Sequence, residues 1–297
     1  GVVNRAGKVL QRGHISTTGH GAIQNYIDAL KNALAPAFNT YGFDNFSGVG
    51  AGAPSANYLT GEIVYAPNMP WHGVIPLKSL LENGLGLRSY VNNDANAATI
   101  GEMIYGAAKG MNNFILITLG TGLGSGFIAN GKMIYGHDGL AGELGHVIAV
   151  RGGRPCGCGR LGCLETYASA TGIVKTAQLW LEERKEDSIL RHNNMPISSK
   201  SIHEAALMQD KLALEIFDYT AGILAQSLAD AVAITSPEAI ILFGGLANAG
   251  NVLLTPLKHH FEDNLLMIYK NKINLMCSAL PDADAAILGA SSMVWHA

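Results

Sequence analysis

The stretch Phe114-Ile115-Leu116-Ile117-Thr118-Leu119-Gly120-Thr121-Gly122-Leu123-Gly124-Ser125-Gly126-Phe127-Ile128-Ala129-Asn130-Gly131 decides the fold class. Phe114 to Leu119 is a short apolar run of the kind that forms a buried strand, and Phe127 to Ala129 reads as its return. Asn130-Gly131 is a hairpin signal leading into a further strand, Met133 to Tyr135. No charge falls between Gly110 and Gly131, yet the repeated glycines are strand-and-turn chemistry and exclude a lipid-facing helix. The loop is no P-loop, because no Gly-Lys-Ser/Thr follows. Nor is it a dinucleotide fingerprint, which must open a helix where this loop opens a strand. It is a cluster of unobstructed backbone amides suited to phosphate oxygens; a flexible hairpin turn would leave the same pattern.

Working outward, Ile23, Ile27, Leu30 and Leu34 repeat at helical spacing with Gln24, Asp28 and Lys31 opposite. Phe46 to Val49 reads as a strand ending in Gly50-Ala51-Gly52-Ala53-Pro54. Arg88 to Val91 reads as another, running into Asn92-Asn93-Asp94 and a helix from Ala95 to Tyr105. Downstream, helices are expected over Glu165 to Glu183, Lys211 to Ile234 and Ala283 to Trp295. Strands are expected over Ala239 to Phe243, before Gly244-Gly245, and over Asn274 to Leu280. Lys185 to Ser201 reads as a mobile surface connection. Strands and helices mix throughout, so the class is α/β. Gly1 to Val9 reads as a strand entering a tight turn, inside a meander whose first strand is missing.

Composition narrows the function. With 297 residues, 48% apolar and 14% charged, the chain is globular and has a prior of about two domains. A formal net charge of −3 and no basic run give no reason to expect nucleic acid. No signal-peptide pattern opens the sequence, so the cytoplasm is the default.

Cys156, Cys158 and Cys163 fall within eight residues, with His146 ten residues upstream. Three thiolates and one imidazole make a complete tetrahedral zinc set. Ordinary buried cysteines, or a disulfide with one cysteine left over, are the alternatives, and a cytosolic setting disfavours the disulfide. Cys277 stands apart and reads as a core residue. Asp94, at a strand-to-helix junction, is placed to take a proton from a substrate hydroxyl; helix capping by Asp94 or Asn93 would explain the same residues. Glu143 and Glu165 flank the proposed metal loop, so its folding would hold Glu143, His146 and Glu165 near one another. Taken singly, each reads equally as a surface carboxylate.

Together Asn93-Asp94-Ala95-Asn96-Ala97-Ala98, the glycine loop 119–126, Gly142-Glu143-Leu144-Gly145-His146 and the cysteine cluster resemble the ROK family of repressors, open reading frames and sugar kinases. Glu165-Thr166-Tyr167-Ala168-Ser169, Asn68-Met69-Pro70-Trp71 and Gly244-Gly245 extend the resemblance over essentially the whole chain. It implies an actin-like, ribonuclease-H-type duplicated fold with sugar and ATP meeting in a cleft. The smaller domain would comprise 1–105 plus 281–297, and the larger one 106–280. It further implies a glucokinase or related hexose kinase using ATP, Mg²⁺ and structural Zn²⁺. Asp94 would be the base on the 6-hydroxyl. Asn93, Glu143, His146 and Glu165 would bind the other hydroxyls, with Asn68 and the backbone near Ala53 completing the pocket. Gly120, Thr121, Gly122 and Gly124 would meet the phosphates, Gly244 and Gly245 the adenosine side. His146, Cys156, Cys158 and Cys163 would hold zinc, and the chain would form a homo-oligomer. The family's opening Asp-x-Gly-Gly-Thr turn has no counterpart here, and a trimmed start is the expectation. A transcriptional repressor and a sugar sensor without turnover are the competing expectations from other classes.

Overall fold

The computed structural model describes residues 1–297 except 67–68, 193–195, 282 and 297. The chain forms two compact units, one of Gly1–Gly110, Met133–Ala141 and Ala279–Ala297, the other of Met111–Lys132 and Gly142–Ser278.

In the first unit, Val2–Val3 and Val9–Gln11 pair antiparallel, as the meander reading requires. Val49–Gly52 pairs parallel with Ser89–Asn92, from Val49 opposite Ser89 to Gly52 opposite Asn92. Helix Ile23–Tyr41 forms on its apolar repeat and packs Ile27, Leu30 and Leu34 into a core with Leu77, Leu81 and Leu85 of helix Leu77–Leu85. Helices Asp94–Tyr105 and Ala285–His296 enclose a smaller core of Ala97, Ile100 and Met293.

The expected strand Phe46 to Val49 is displaced: the observed strand is Val49–Gly52 and contains both glycines. Packing explains the difference. Helix Ala285–His296 lies directly on this strand, and a side-chain carbon on Gly50 would overlap the Ala290 carbonyl. Gly50 therefore marks a close helix-to-strand approach where composition suggests a turn.

In the second unit the sheet runs in the order Leu123–Ala129, Phe114–Leu119, Ala239–Phe243, Asn274–Cys277. The last three strands are parallel, with Phe114 opposite Ala239 and Ala239 opposite Asn274. The return strand begins at Leu123, four residues before the expected Phe127, so Gly124 and Gly126 sit in the ladder opposite Thr118 and Leu116. Only Gly120 to Gly122 remain as turn. The helix expected from Glu165 starts at Ala170 instead. Leu164–Thr166 is a separate 3-10 turn, and the Ser169 hydroxyl caps the helix by accepting from Gly172 N–H at 3.0 Å. Much of the expected surface connection is ordered, with a helical turn at Ile189–His192 and helix Ser199–Leu207; residues 193–195 lie outside the described ones. Cys277 is exposed, contrary to its reading as core, because it closes the edge strand Asn274–Cys277. Helix Lys211–Thr235 supplies Leu212, Ile216, Phe217, Leu224 and Leu228 to the core beneath the sheet. Among the described residues no helix is long and apolar enough to cross a membrane.

Gly50→Ala should destabilise the first unit by about 1–3 kcal/mol through overpacking against backbone. A lowered urea midpoint at constant slope would show this; an unchanged midpoint would show that the helix can move away.

Candidate active site and metal centre

In the first unit, the parallel strands Val49–Gly52 and Ser89–Asn92 end side by side, and Ala53 N–H donates to the Asn92 carbonyl at 3.0 Å. The chain turns there into helix Asp94–Tyr105. Asn93 caps it, its Oδ1 accepting from Ala95 N–H at 2.8 Å. Asp94 is the first helical residue and exposed, with its own Oδ1 2.8 Å from the same amide. Ala53, Asn93 and Asp94 thus gather at the carboxyl ends of two parallel strands, where α/β folds place ligands. Asn68 lies outside the described residues. The second unit repeats the pattern where Phe114–Leu119 and Ala239–Phe243 end together. The Leu119 carbonyl accepts from Leu246 N–H at 3.1 Å, and a side-chain carbon on Gly244 (φ +104°) would lie 2.8 Å from that oxygen. Gly245 faces open space. In the glycine turn the Gly120 N–H is used internally, and Gly124 N–H donates to Thr118 Oγ1 at 3.1 Å. Among the described residues, Thr121 and Gly122 N–H have no protein acceptor. Two adjacent amides without a protein acceptor suit an anion.

The Ser125 hydroxyl donates to the Gly142 carbonyl and accepts from Leu144 N–H at 3.1 Å. These bonds fix the 3-10 turn Leu144–His146 against the sheet. His146 Nε2 lies 3.9 Å from a Glu143 carboxylate oxygen, and His146 Nδ1 lies 3.7 Å from both Glu165 Oε1 and Cys156 Sγ. Cys158 and Cys163 sulfurs are 3.6 Å apart. One donor atom from each of His146, Cys156, Cys158 and Cys163 falls within 4.8 Å of the others. Tetrahedral Zn²⁺, with Zn–S of about 2.3 Å and Zn–N of about 2.0 Å, separates neighbouring donors by about 3.5–3.8 Å. The donor set and its spacing therefore fit zinc. Without a metal, burial pushes the Cys156 thiol up to about 12 and raises Cys163, whereas the Arg160 N–H lowers Cys158. Cys156 then donates to Glu165 Oε1 at 3.0 Å. The other Glu165 oxygen faces the glycine turn, 2.7 Å from where Gly122 would carry a side-chain carbon.

Arg154 is a structural residue with no motif to announce it. Its guanidinium donates to the Thr166 and Gly172 carbonyls at 2.8 and 3.1 Å and to Thr176 Oγ1 at 2.9 Å. It stacks 4.4 Å from the Tyr167 ring centroid, and its N–H donates to the Tyr167 hydroxyl at 2.9 Å. Among the described residues no carboxylate pairs with it. Arg154 ties the cysteine loop to the segment carrying Glu165.

The ROK family model matches residues 1–297. The chain is 37% identical over 297 residues to a glucokinase of Halalkalibacterium halodurans, covering 97% of this chain and 89% of that protein. Over 250 residues it is 31% identical to a xylose repressor of Bacillus spizizenii, covering 83% of this chain and 60% of the repressor. A crystal structure of a ROK family glucokinase from Streptomyces griseus in complex with glucose and AMPPNP superposes with a TM-score of 0.83 at 32% identity, covering 100% of this chain and 95% of that one.

Arg154→Met keeps an apolar stem but takes the guanidinium donor from the Thr166 carbonyl, whereas the Gly172 carbonyl keeps Thr176 Oγ1 at 3.2 Å. Hydrogen bonds to charged groups contribute about 1.5–3 kcal/mol each, so the expected loss is about 2–3 kcal/mol in urea unfolding. A loss below about 0.5 kcal/mol would show that the loop is held without the guanidinium.

Proposed function

The chain belongs to the ROK family, and from that premise we infer that it is an ATP-dependent hexose kinase acting on the 6-hydroxyl of glucose. Its fold is the actin-like ATPase fold of ROK sugar kinases. The observation that carries the reading is an exposed carboxylate, Asp94, at the carboxyl end of a parallel strand, in a chain 37% identical to a glucokinase over almost its whole length.

Phosphoryl transfer asks a protein mainly for alignment and charge neutralisation. Asp94 takes the proton of the sugar 6-hydroxyl. Asn93, Glu143, His146 and Glu165 hydrogen-bond the remaining hydroxyls, with Asn68 and the backbone at Ala53 alongside. The free Thr121 and Gly122 amides receive phosphate oxygens, Gly120 shapes their turn, and Gly244 and Gly245 leave room near the adenosine. Gly124 takes a supporting part, since its amide is committed to Thr118. ATP with Mg²⁺ supplies the phosphoryl group and offsets its charge when bound. His146, Cys156, Cys158 and Cys163 would hold Zn²⁺, which fixes the loop and the imidazole orientation. Zinc binding would take the Cys156 proton and so free Glu165 Oε1 from that thiol to accept from a sugar hydroxyl.

Mannose, fructose, N-acetylglucosamine and N-acetylmannosamine rank behind glucose, and homo-oligomer formation and a cytoplasmic location extend the reading by family analogy. A sugar-responsive repressor is the second reading, favoured by the identity to the xylose repressor; ADP release over that sugar panel separates the two.

Asp94→Asn should lower kcat by roughly 10²–10⁴-fold and leave sugar affinity within a few-fold, as removal of a general base requires. A modest, equal fall in rate and affinity would identify Asp94 as a cap. Elemental analysis should give about one zinc per chain, and Cys158→Ser or a chelator should weaken sugar binding measured by calorimetry. A metal-free preparation with full activity would remove the zinc assignment.

A further inference from the structure

We propose that Asn92 and Tyr135 are a positioning pair that sets the Asn93–Asp94 turn for proton abstraction; this rests on the assignment of Asp94 as base. Asn92 is 1% exposed, so its carboxamide must find its partners within the protein. Oδ1 accepts from Asn93 N–H at 2.9 Å and from Asn96 Nδ2 at 3.2 Å. Nδ2 donates to the Tyr135 hydroxyl at 3.0 Å. Among the described residues, that hydroxyl is the one partner of the carboxamide that lies outside the turn and its helix.

The turn cannot fix itself. Asn93 caps the helix through Ala95 N–H and Asp94 reaches the same amide, so neither bond holds the Asn93 N–H itself. Asn92 adds the missing restraint by holding Asn93 N–H, provided its oxygen and not its NH₂ faces that donor. An amide presents an acceptor on one side and donors on the other. Asn93 N–H sets that orientation, and the Tyr135 hydroxyl, accepting from Nδ2, ties the carboxamide to a segment outside the turn and its helix. Flipped, the carboxamide would set NH₂ against the Asn93 N–H, and the turn would have to move.

Tyr135 is itself held firmly. Its ring stacks on Tyr58 at 4.5 Å and 3°. Nearby, Asn57 Nδ2 donates to the Asp138 carbonyl at 2.6 Å, and Ala141 N–H donates to the Tyr135 carbonyl at 3.0 Å. Burial also pushes the Tyr135 hydroxyl up to about 12, so it stays neutral at physiological pH.

Tyr135→Phe keeps the ring and its stack and deletes only the oxygen. In a coupled ADP-release assay well below the unfolding temperature, kcat should fall about tenfold while KM for glucose and ATP stays within about twofold, because misplacement of a base costs rate before affinity. A parental kcat for Tyr135→Phe, or rate and affinity falling together, would overturn the proposal. Asp94→Asn in the same assay separates the two failures: an inactive Asp94→Asn beside a fully active Tyr135→Phe overturns the positioning pair alone, whereas a fully active Asp94→Asn overturns the base and the inference with it.

Discussion

Backbone hydrogen bonds at the carboxyl ends of parallel strands are the constraint on which the rest depends. In the first unit Ala53 N–H meets the Asn92 carbonyl, and in the second Leu246 N–H meets the Leu119 carbonyl. Each bond forces the chain leaving one strand to cross the end of its neighbour. Loops carrying chemistry are thereby brought onto rigid edges, which hold side chains more closely than free loops do. The same crossing leaves little room beside the strand ends, which accounts for Gly244 beside Leu119.

The cysteine loop solves a different problem. It has little apolar surface of its own, and exposed Arg151, Gly152, Gly157, Cys158, Gly159 and Arg160 would leave it weakly ordered by burial alone. Two restraints replace a core. One is the convergence of three sulfurs and an imidazole; the other is Arg154, whose guanidinium reaches the backbone on both sides of Tyr167. Because Glu165 lies between Cys163 and Thr166, ordering the loop also orders a carboxylate proposed to bind sugar.

Much of this was legible in the sequence, for physical reasons that also explain the gaps. Phe114–Leu119 and Ala239–Phe243 match their expected bounds because each is a short, mostly apolar run stopped by glycine. The cysteine cluster was legible because its partners are local. Glycine misled at Val49–Gly52 and at Leu123–Ala129, where it serves close packing and ladder pairing and not a turn. Ser169 as a cap was hidden inside a helical pattern that starts earlier. Asn92, Tyr135 and Arg154 escaped altogether. Asn92 and Tyr135 are 43 residues apart, and a single hydrogen bond over that separation leaves no periodicity or spacing to read.

The strongest competing account of Asp94, that it caps its helix, is weakened by the geometry that first suggests it. A cap is defined by a side-chain oxygen accepting a first-turn amide from a residue with non-helical backbone. Asn93 meets both conditions, with φ −58°, ψ 146° and its Oδ1 on Ala95 N–H. Asp94 already lies inside the helix and approaches the same amide, which one acceptor is enough to satisfy. Asn93 therefore makes Asp94 redundant as a cap. A carboxylate that is exposed, unneeded for the helix and seated at its positive end, where negative charge is favoured, suits the proposed role of base better than that of a cap.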